Sequence, residues 1–292
     1  GVLRLITQED LAGTELSGGA TGTTALNPAN WVLSKVIDDA GPITSSVVRL
    51  QNQKTNKLWL YFGAGRYFYE MSGAMDDPDT QRKIYGVIEP CFIDETSSFA
   101  TACTNGVIGD DLTRTVGGLS YQTTETVATI TDGWKISLDP KDSTTTDFEN
   151  CSGGGITTCP ANQYGYCEGA PASIVCRAYK AERVVTDPLA TSTGVVFFTT
   201  YKPYSEECSL GGKSFIWATK YDTGGAAGTL LKGKAMIQVS TGSIEQMDLS
   251  TAFGEKGGRR TSGIEGVPPT AQGLSIVSTP PALKRVLHIR QR

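Results

Sequence analysis

The chain has 292 residues, of which 39% are hydrophobic and 34 are glycine, and its formal net charge is −4. This length can bury a sizeable core in one or two domains, and the composition is typical of a turn-rich β protein. The negative charge and the lack of long basic clusters argue against nucleic acid as a partner, and no run approaches the roughly 18 apolar residues of a membrane span.

The first predicted strand covers residues 1–6, so the chain opens within a strand, as expected for a mature product or a piece of a longer protein. A polar stretch rich in Gly and Thr, 7–30, predicts a loop. Strands are then predicted at 43–50 and 58–62. The glycines of the 63–65 segment do not form a dinucleotide-binding fingerprint, because no third glycine follows at the required spacing. Small residues here let another backbone approach closely or permit a bulge.

Three carboxylates, those of Asp76, Asp77 and Asp79, cluster in one predicted turn before a strand at 83–88. Hard oxygen ligands packed this closely are able to hold Ca²⁺. The segment lacks the alternating ligands, the central glycine and the final glutamate of an EF-hand loop. A solvated acidic turn is therefore the default interpretation, and a calcium site at these three residues is the alternative.

The middle of the chain contains two predicted strands, at 119–130 and 133–138, and then a long segment, 139–180. That segment carries four of the seven cysteines and shows no obvious secondary structure. Because such a long loop is unusual in a compact domain, it is either functional or held by disulfides. We interpret it as an exposed, disulfide-stapled insertion.

A run of β-branched and aromatic residues at 195–200 predicts a buried strand. A glycine-rich loop leads to a second strand at 214–221, which ends in the turn sequence Asp222-Thr223-Gly224-Gly225. Asp bonds its own backbone in such turns, and Gly accepts a positive φ. Strand, glycine-rich loop, strand and turn together form the unit of an antiparallel meander.

The C-terminal part predicts a strand at 234–240, then one helical turn or an irregular segment at 243–253. The Gly/Pro/Arg-rich stretch 254–273 predicts a mobile loop, and two last strands are expected at 274–278 and 283–289. Roughly a dozen short strands with frequent glycine turns fit a sandwich, a barrel or propeller blades.

The seven cysteines indicate an oxidising compartment. None forms a Cys-x-x-Cys motif, and with one histidine, His288, a Cys/His zinc site is not expected, so disulfides are favoured over metal binding or free thiols. An odd number leaves one cysteine free or paired outside the chain. Cys91–Cys103 is the favoured pairing because it closes one short loop between two predicted strands, and the other pairings stay open. The cysteines are Cys91, Cys103, Cys151, Cys159, Cys167, Cys176 and Cys208.

Four segments resemble one family. They are PITSSVV to LWLYFGAGRYF at 42–68, GWKISLD at 133–139, the stretch from ERVVTDPLA through FFTTYKPYSEECSLGGKSFIWATKYDTG at 182–224, and LKRVLHIR at 283–290. The third is the most specific, because a strand, a Cys-x-x-Gly-Gly loop and an Asp-x-Gly turn occur in order. Together the segments resemble the type IV pilus assembly and tip-associated adhesin proteins of the PilY or PilC kind.

The resemblance implies an all-β fold, namely a partial or modified β-propeller of the quinoprotein type. One such domain would span 1–292, with the cysteine-rich insertion at about 139–180. It also implies a non-enzymatic factor that takes part in pilus assembly, surface attachment and twitching motility. Such a protein is exported through the periplasm to the bacterial cell surface, where its partners are minor pilins at the pilus tip and an external surface or host cell.

The chain departs from the family in three respects. The family's large N-terminal region, its Arg-Gly-Asp motif and its spaced-Asp calcium loop do not occur in this sequence. A calcium role therefore transfers only as a local hypothesis for Asp76, Asp77 and Asp79. The chain is also short for a full propeller of this type, so an N-terminal adhesin region or a second polypeptide is expected to complete it.

Two other functions compete with the pilus role. The WATKYDTGG sequence resembles the strand and turn of quinoprotein dehydrogenases, although no regular tryptophan repeat, haem motif or central histidine supports an enzyme. A structural subunit that decorates an extracellular filament is the third interpretation. No cofactor other than Ca²⁺ is expected.

Overall fold

In the computed structural model, the described residues form four larger sheets, which are mainly antiparallel. At 93, 98–99, 166–168, 175–177, 237–238, 245, 266 and 274–277 only the backbone is described. The structure describes residues 1–7, 28, 31–52, 55, 57–66, 80–93, 98–99, 114–122, 129–142, 166–168, 175–177, 179–204, 211–238, 244–266 and 274–277.

The first two sheets come from the N-terminal half. The first sheet has the order β1-β2-β8, in which β1 and β2 are antiparallel and β8 is parallel to β2. Its strands are β1 (Val2–Ile6), β2 (Val32–Asp38) and β8 (Arg114–Thr115). The second sheet has the order β3-β4-β5-β10-β9. Its strands are β3 (Val48–Gln51), β4 (Leu58–Gly63), β5 (Lys83–Ile88), β9 (Ser120–Tyr121) and β10 (Gly133–Ser137).

The third and fourth sheets come from the C-terminal half. The third sheet has the order β13-β15-β16-β20-β19, with β14 beside β15 and β21 beside β16. Its strands are β13 (Arg183–Val184), β14 (Leu189–Ala190), β15 (Val195–Pro203), β16 (Gly212–Lys220), β19 (Phe253–Glu255), β20 (Arg260–Thr261) and β21 (Ile264–Gly266). The fourth sheet has the order β18-β17-β22. Its strands are β17 (Lys234–Gln238), β18 (Ile244–Asp248) and β22 (Leu274–Val277).

Two small strand pairs complete the described secondary structure, together with a 3₁₀ turn at Gly228–Leu230. They are β6 (Phe92–Ile93) with β7 (Ser98–Phe99), and β11 (Tyr166–Glu168) with β12 (Val175–Arg177). Within the described ranges, the structure contains no helix that is long and apolar enough to span a membrane.

The four larger sheets pack face to face, although their strands interleave along the chain. Val36 of the first sheet packs with Phe62 and Tyr85 of the second sheet. The opposite face of the second sheet contacts the third sheet, and the opposite face of the third contacts the fourth. These small, mainly antiparallel sheets confirm the predicted all-β class and the partial or modified β-propeller, whose blades are sheets of this kind.

The strand β15 explains how one sheet serves two interfaces. All nine of its residues are buried. Val196 and Phe198 belong to the interface with the second sheet, whereas Val195 and Phe197 belong to the interface with the fourth. Successive side chains in a strand point to opposite faces, so a strand that is covered on both sides is apolar without alternation.

The outer face of the first sheet is not covered in the same way. Leu3, Leu5 and Leu33 are 62%, 53% and 51% exposed, while Val2 and Ile6 of the same hairpin point inward and are buried. Leu5 lies directly opposite Leu33 in the register of the two strands. The stack therefore ends here in an apolar surface.

The close approach predicted at residues 63–65 occurs between the second and third sheets. The backbone N–H of Val184 donates a hydrogen bond to the carbonyl of Ala64 at 3.0 Å. A Cβ atom at Gly63 would lie 2.5 Å from the Cβ of Val184. Glycine is needed at this position because the two chains nearly touch.

A buried ionic cluster joins the second and third sheets. The Arg260 Nη1 atom lies 2.8 Å from Asp139 Oδ2 and 2.9 Å from Glu182 Oε2, and its Nη2 lies 2.7 Å from Glu255 Oε2. The guanidinium carbon is 4.0 Å from the centroid of the Phe215 ring. Arg260 therefore holds the end of β10, the start of β13 and the β19–β20 hairpin together.

The electrostatics of this cluster keep its groups charged. Burial acts to raise the pKa of Asp139, but the charge of Arg260 and the hydrogen bonds from Lys256 and Arg260 outweigh burial, so this pKa is lowered overall. Burial acts to lower the pKa of Arg260, and the charges of Glu182 and Asp139 outweigh that effect and raise it. Both groups are therefore ionised at neutral pH.

Two C-terminal predictions were wrong. The stretch 254–273, predicted as a mobile loop, contributes to β19, β20 and β21, and its Arg260 side chain is buried. Positive φ angles at Lys256, Gly257 and Gly258 form the tight turn between β19 and β20. The segment 243–253, predicted as helical or irregular, contains β18.

Two other predictions need adjustment. The structure has 22 strands among the described residues, more than the dozen expected, because many are two-residue pairings beside turns. The segment 139–180 was interpreted as exposed, yet both of its ends are buried. Asp142 forms an ion pair with the buried Lys202 at 2.8 Å, and Tyr179 is 1% exposed. Between these ends the structure describes β11 and β12.

We expect Arg260→Ala to lower the free energy of unfolding by about 3–5 kcal/mol, because it leaves the buried Glu182 without its counter-charge and Asp139 with Lys256 alone. Urea unfolding of the oxidised protein measures this loss. Lys256→Ala is the matched control, since Lys256 contacts Asp139 at 2.6 Å from a partly exposed position. Equal losses in the two variants would show that Arg260 is not the centre of the cluster.

Candidate functional site

A cleft of about 330 Å³ lies at the end of the second sheet, beside the turn that follows β16. Its base consists of Trp59, Ile88 and Ile130. One wall is the β3–β4 turn, and the other is the turn at Asp222–Thr223. The remaining lining residues are Asn52, Thr55, Lys57 and Thr129.

The wall at Asp222 is held in place through its neighbour Tyr221. The hydroxyl of Tyr61 and the indole N–H of Trp134 both donate hydrogen bonds to the carbonyl oxygen of Tyr221, at 2.9 Å and 3.0 Å. The amide of Asn52 donates to the hydroxyl of Tyr221 at 2.5 Å. Because all three donors belong to the second sheet and its β3–β4 turn, they fix a turn of the third sheet against it.

Local backbone chemistry explains why the chain turns here. The N–H of Gly224 donates to the carbonyl of Lys220 at 2.9 Å, and the N–H of Gly225 donates to the Thr223 hydroxyl at 3.3 Å. Gly224 has φ +67°, and a Cβ at this position would lie 2.7 Å from the ring of Trp134. The predicted turn is therefore confirmed, although Thr223 and not Asp222 supplies its side-chain bond, and Gly224 is required for both its φ angle and its contact.

We call the three hydrogen bonds to Tyr221 the clamp. Its two tyrosines, Tyr61 and Tyr221, are neutral at physiological pH. Burial, followed by the electrostatic interactions with Tyr221 and Asp222, raises the pKa of Tyr61 above its ordinary value. Burial and the Asp222 charge also raise the pKa of Tyr221, against the effect of the hydrogen bond from Asn52. The hydroxyl of Tyr61 consequently keeps the proton that it donates.

Trp59 forms the aromatic part of the cleft base. Its ring is nearly parallel to that of Tyr61, with centroids 6.3 Å apart, and meets Tyr221 edge-on at 6.3 Å. The side chain is 4% exposed, and its buried indole N–H has no hydrogen-bond partner among the described residues. Such an unsatisfied buried donor is uncommon in folded proteins.

Two opposite charges line the cleft without forming an ion pair. Lys57 belongs to the β3–β4 turn and is exposed, and Asp222 belongs to the turn after β16 and is half-buried. In the part of the chain that the structure describes, neither side chain has an ion-pair or hydrogen-bond partner. The cleft therefore offers one cation, one anion and several hydroxyls, an arrangement suited to binding.

The predicted calcium ligands Asp76, Asp77 and Asp79 lie outside the described residues, so the calcium site stays a prediction. Among the residues that are described, no group of three or more His, Cys, Asp or Glu side chains is arranged to hold a metal ion.

One predicted disulfide cysteine is described with its side chain. Cys91 is buried and disulfide-bonded, and its N–H donates to the Glu89 carboxylate at 2.9 Å. The side chain of its partner is not among those described, so the pairing with Cys103 stays a prediction. In the β11–β12 pair, the backbone places Cys167 directly opposite Cys176. Cys151, Cys159 and Cys208 also lie outside the described residues.

Sequence reasoning identified one wall of the cleft and missed the rest. The turn at Asp222 was predicted from its residues. Trp59 was assigned only to a predicted strand, and Asn52 and Lys57 fell between two predicted strands. The signal that distinguishes them is their contact with a turn about 170 residues away, and one sequence does not contain that information.

Among solved structures, the crystal structure of the Pseudomonas aeruginosa PilY1 C-terminal domain matches this chain with 12% sequence identity and a TM-score of 0.42. The match covers 86% of this chain and 50% of that chain, so the present chain spans about half of that domain. No family model matches the sequence, and no curated protein matches it. At this identity and TM-score, membership of the family stays a proposal.

We predict a disulfide between Cys167 and Cys176. Directly opposed residues of antiparallel strands have Cα atoms roughly 4.5–5.5 Å apart, within the range of about 4.4–6.8 Å that disulfides require. Peptide mapping by mass spectrometry without reduction should find the two peptides joined. Cys176→Ser should free Cys167 for alkylation, whereas Cys208→Ser should not. Linkage of Cys167 to any other cysteine would contradict the register.

The clamp at Tyr221 makes a second prediction, which concerns Gly224. Gly228 is the reference position, because it has φ +50° and an added Cβ would meet no atom within 4 Å. Gly228→Ala should therefore cost about 1–2 kcal/mol for the backbone conformation alone. Gly224→Ala should cost about 1–3 kcal/mol more, because its Cβ also collides with Trp134. Urea unfolding of both variants measures the difference, and equal losses would exclude the collision.

Proposed function

We propose that this chain is a non-enzymatic binding module of the type IV pilus machinery, displayed at the bacterial cell surface. In this role it takes part in pilus assembly, surface attachment and twitching motility. Its partners are minor pilins at the pilus tip and an external surface or host cell. The proposal starts from the resemblance of the segments at 42–68, 133–139, 182–224 and 283–290 to the PilY and PilC proteins.

The observation that carries the binding role is the preformed cleft. Its two walls come from different sheets, and the hydrogen bonds to Tyr221 hold them in one geometry before any ligand arrives. Walls that are already ordered reduce the entropy that a ligand must offset on binding. A cleft of this kind, with opposite charges that do not neutralise each other, is suited to holding a partner molecule.

The remaining structure supports a role under mechanical load. Face-to-face packing buries both sides of the second and third sheets, and the cluster around Arg260 connects them through charged groups. A disulfide at Cys91 adds a covalent restraint and supports an oxidising location such as the periplasm or the cell exterior. A filament-associated protein that is pulled needs such restraints.

Deletion of the gene in the organism that encodes it tests the proposal. We expect loss of surface pili or of twitching, and restoration of both by the wild-type gene. The variants Asp222→Ala and Lys57→Ala should restore piliation and leave attachment to the natural surface weaker. Wild-type piliation, twitching and attachment in the deletion strain would overturn the pilus role. Reduction of a redox dye by the purified protein with a quinone would overturn the non-enzymatic role.

A further inference from the structure

We propose that the cleft between Trp59 and Asp222 binds one neutral sugar unit. This inference names the ligand class of the proposed binding module and therefore rests on that function. Four properties of the cleft support it: the groups that the fold leaves unsatisfied, their charges, the size and lining of the space, and the rigidity of its walls.

The unsatisfied groups require a ligand that both accepts and donates hydrogen bonds. Asp222 supplies an acceptor carboxylate, and Lys57 supplies a cationic donor to the same cleft. A complementary ligand must donate a hydrogen bond at one place and accept one at another. A hydroxyl both donates and accepts, so a ligand with several adjacent hydroxyls meets this requirement.

The charge balance of the cleft favours a neutral ligand. A phosphate or carboxylate ligand that approached Lys57 would also meet the negative charge of Asp222, and a cationic ligand would meet the charge of Lys57. The two opposite charges therefore select against net charge on the ligand. A neutral polyol forms charge-assisted hydrogen bonds to both groups without either repulsion.

The size and lining of the space suit a sugar ring. A volume of about 330 Å³ lies at the small end of the range for small-molecule sites and suits one or two sugar rings. Ile88, Ile130 and the edge of Trp59 make the base apolar, which suits the C–H face of a sugar. The hydroxyls of Thr129 and Thr223 extend the polar rim around that base.

The walls of the cleft are preorganised. The Asp222 wall is held by three hydrogen bonds between Tyr221 and the second sheet with its β3–β4 turn. Neither Lys57 nor Asp222 contributes an ion pair or hydrogen bond to this support among the residues described, so the two groups are available to a ligand. Their replacement therefore changes the binding site and leaves the fold that builds it intact.

Titration of the purified, oxidised full chain tests the inference. The probes are glucose, galactose, mannose, fucose and N-acetylglucosamine, followed by saturation-transfer NMR and calorimetry. We expect at least one neutral sugar to bind, and Asp222→Ala and Lys57→Ala each to weaken its affinity about tenfold through loss of a charge-assisted hydrogen bond.

Asp38→Asn is the matched control, because Asp38 forms an exposed ion pair with Lys35 on the first sheet, and sugar binding should not change. Circular dichroism establishes that each variant is folded. Lack of binding by the whole panel, equal binding by all variants, or tighter binding of glycine or sialic acid would each overturn the inference. If no sugar binds while gene deletion abolishes piliation, the ligand class fails and the proposed function stands. If a sugar binds while gene deletion has no phenotype, the ligand class stands and the proposed pilus function fails.

Discussion

The carbonyl oxygen of Tyr221 is the point on which the candidate site depends. It accepts hydrogen bonds from Tyr61 and Trp134, which lie on different strands of the second sheet. These bonds lie between two aromatic layers, where an unmade hydrogen bond is costly. Loss of this contact would release the turn at Asp222 and remove one wall of the cleft.

Trp134, one of the two donors to the Tyr221 carbonyl, also packs against the third sheet. Trp134 packs edge-on against Phe198 of the third sheet at 6.3 Å, while its N–H is directed to the turn. Trp134 thus contributes both an apolar ring contact and a hydrogen bond to the interface between the two sheets. At the other end of this interface, Arg260 holds the sheets together by charge. The aromatic contacts of Trp134 and the ionic cluster around Arg260 therefore both fix the relative position of the two sheets.

The fold was largely predictable because its signals are local. The β-branched and aromatic run of β15 and the residues of the Asp222 turn each determine their own backbone conformation. The stretch 254–273 shows where this reasoning fails. Glycines and arginines suggested a solvated loop, but Arg260 is buried because Asp139 and Glu182, distant in sequence, supply its counter-charges.

The amino-acid sequence by itself determined the strand-rich class, the meander around β15 and β16, and the oxidising chemistry to which the Cys91 disulfide belongs. Only the tertiary structure decided that Asn52 would meet Tyr221 across 169 positions of the chain, and that Trp59 and Asp222 would border one cleft. Backbone periodicity and turn chemistry act over a few residues. Face-to-face packing of sheets, in contrast, pairs side chains whose positions depend on how every intervening strand is arranged.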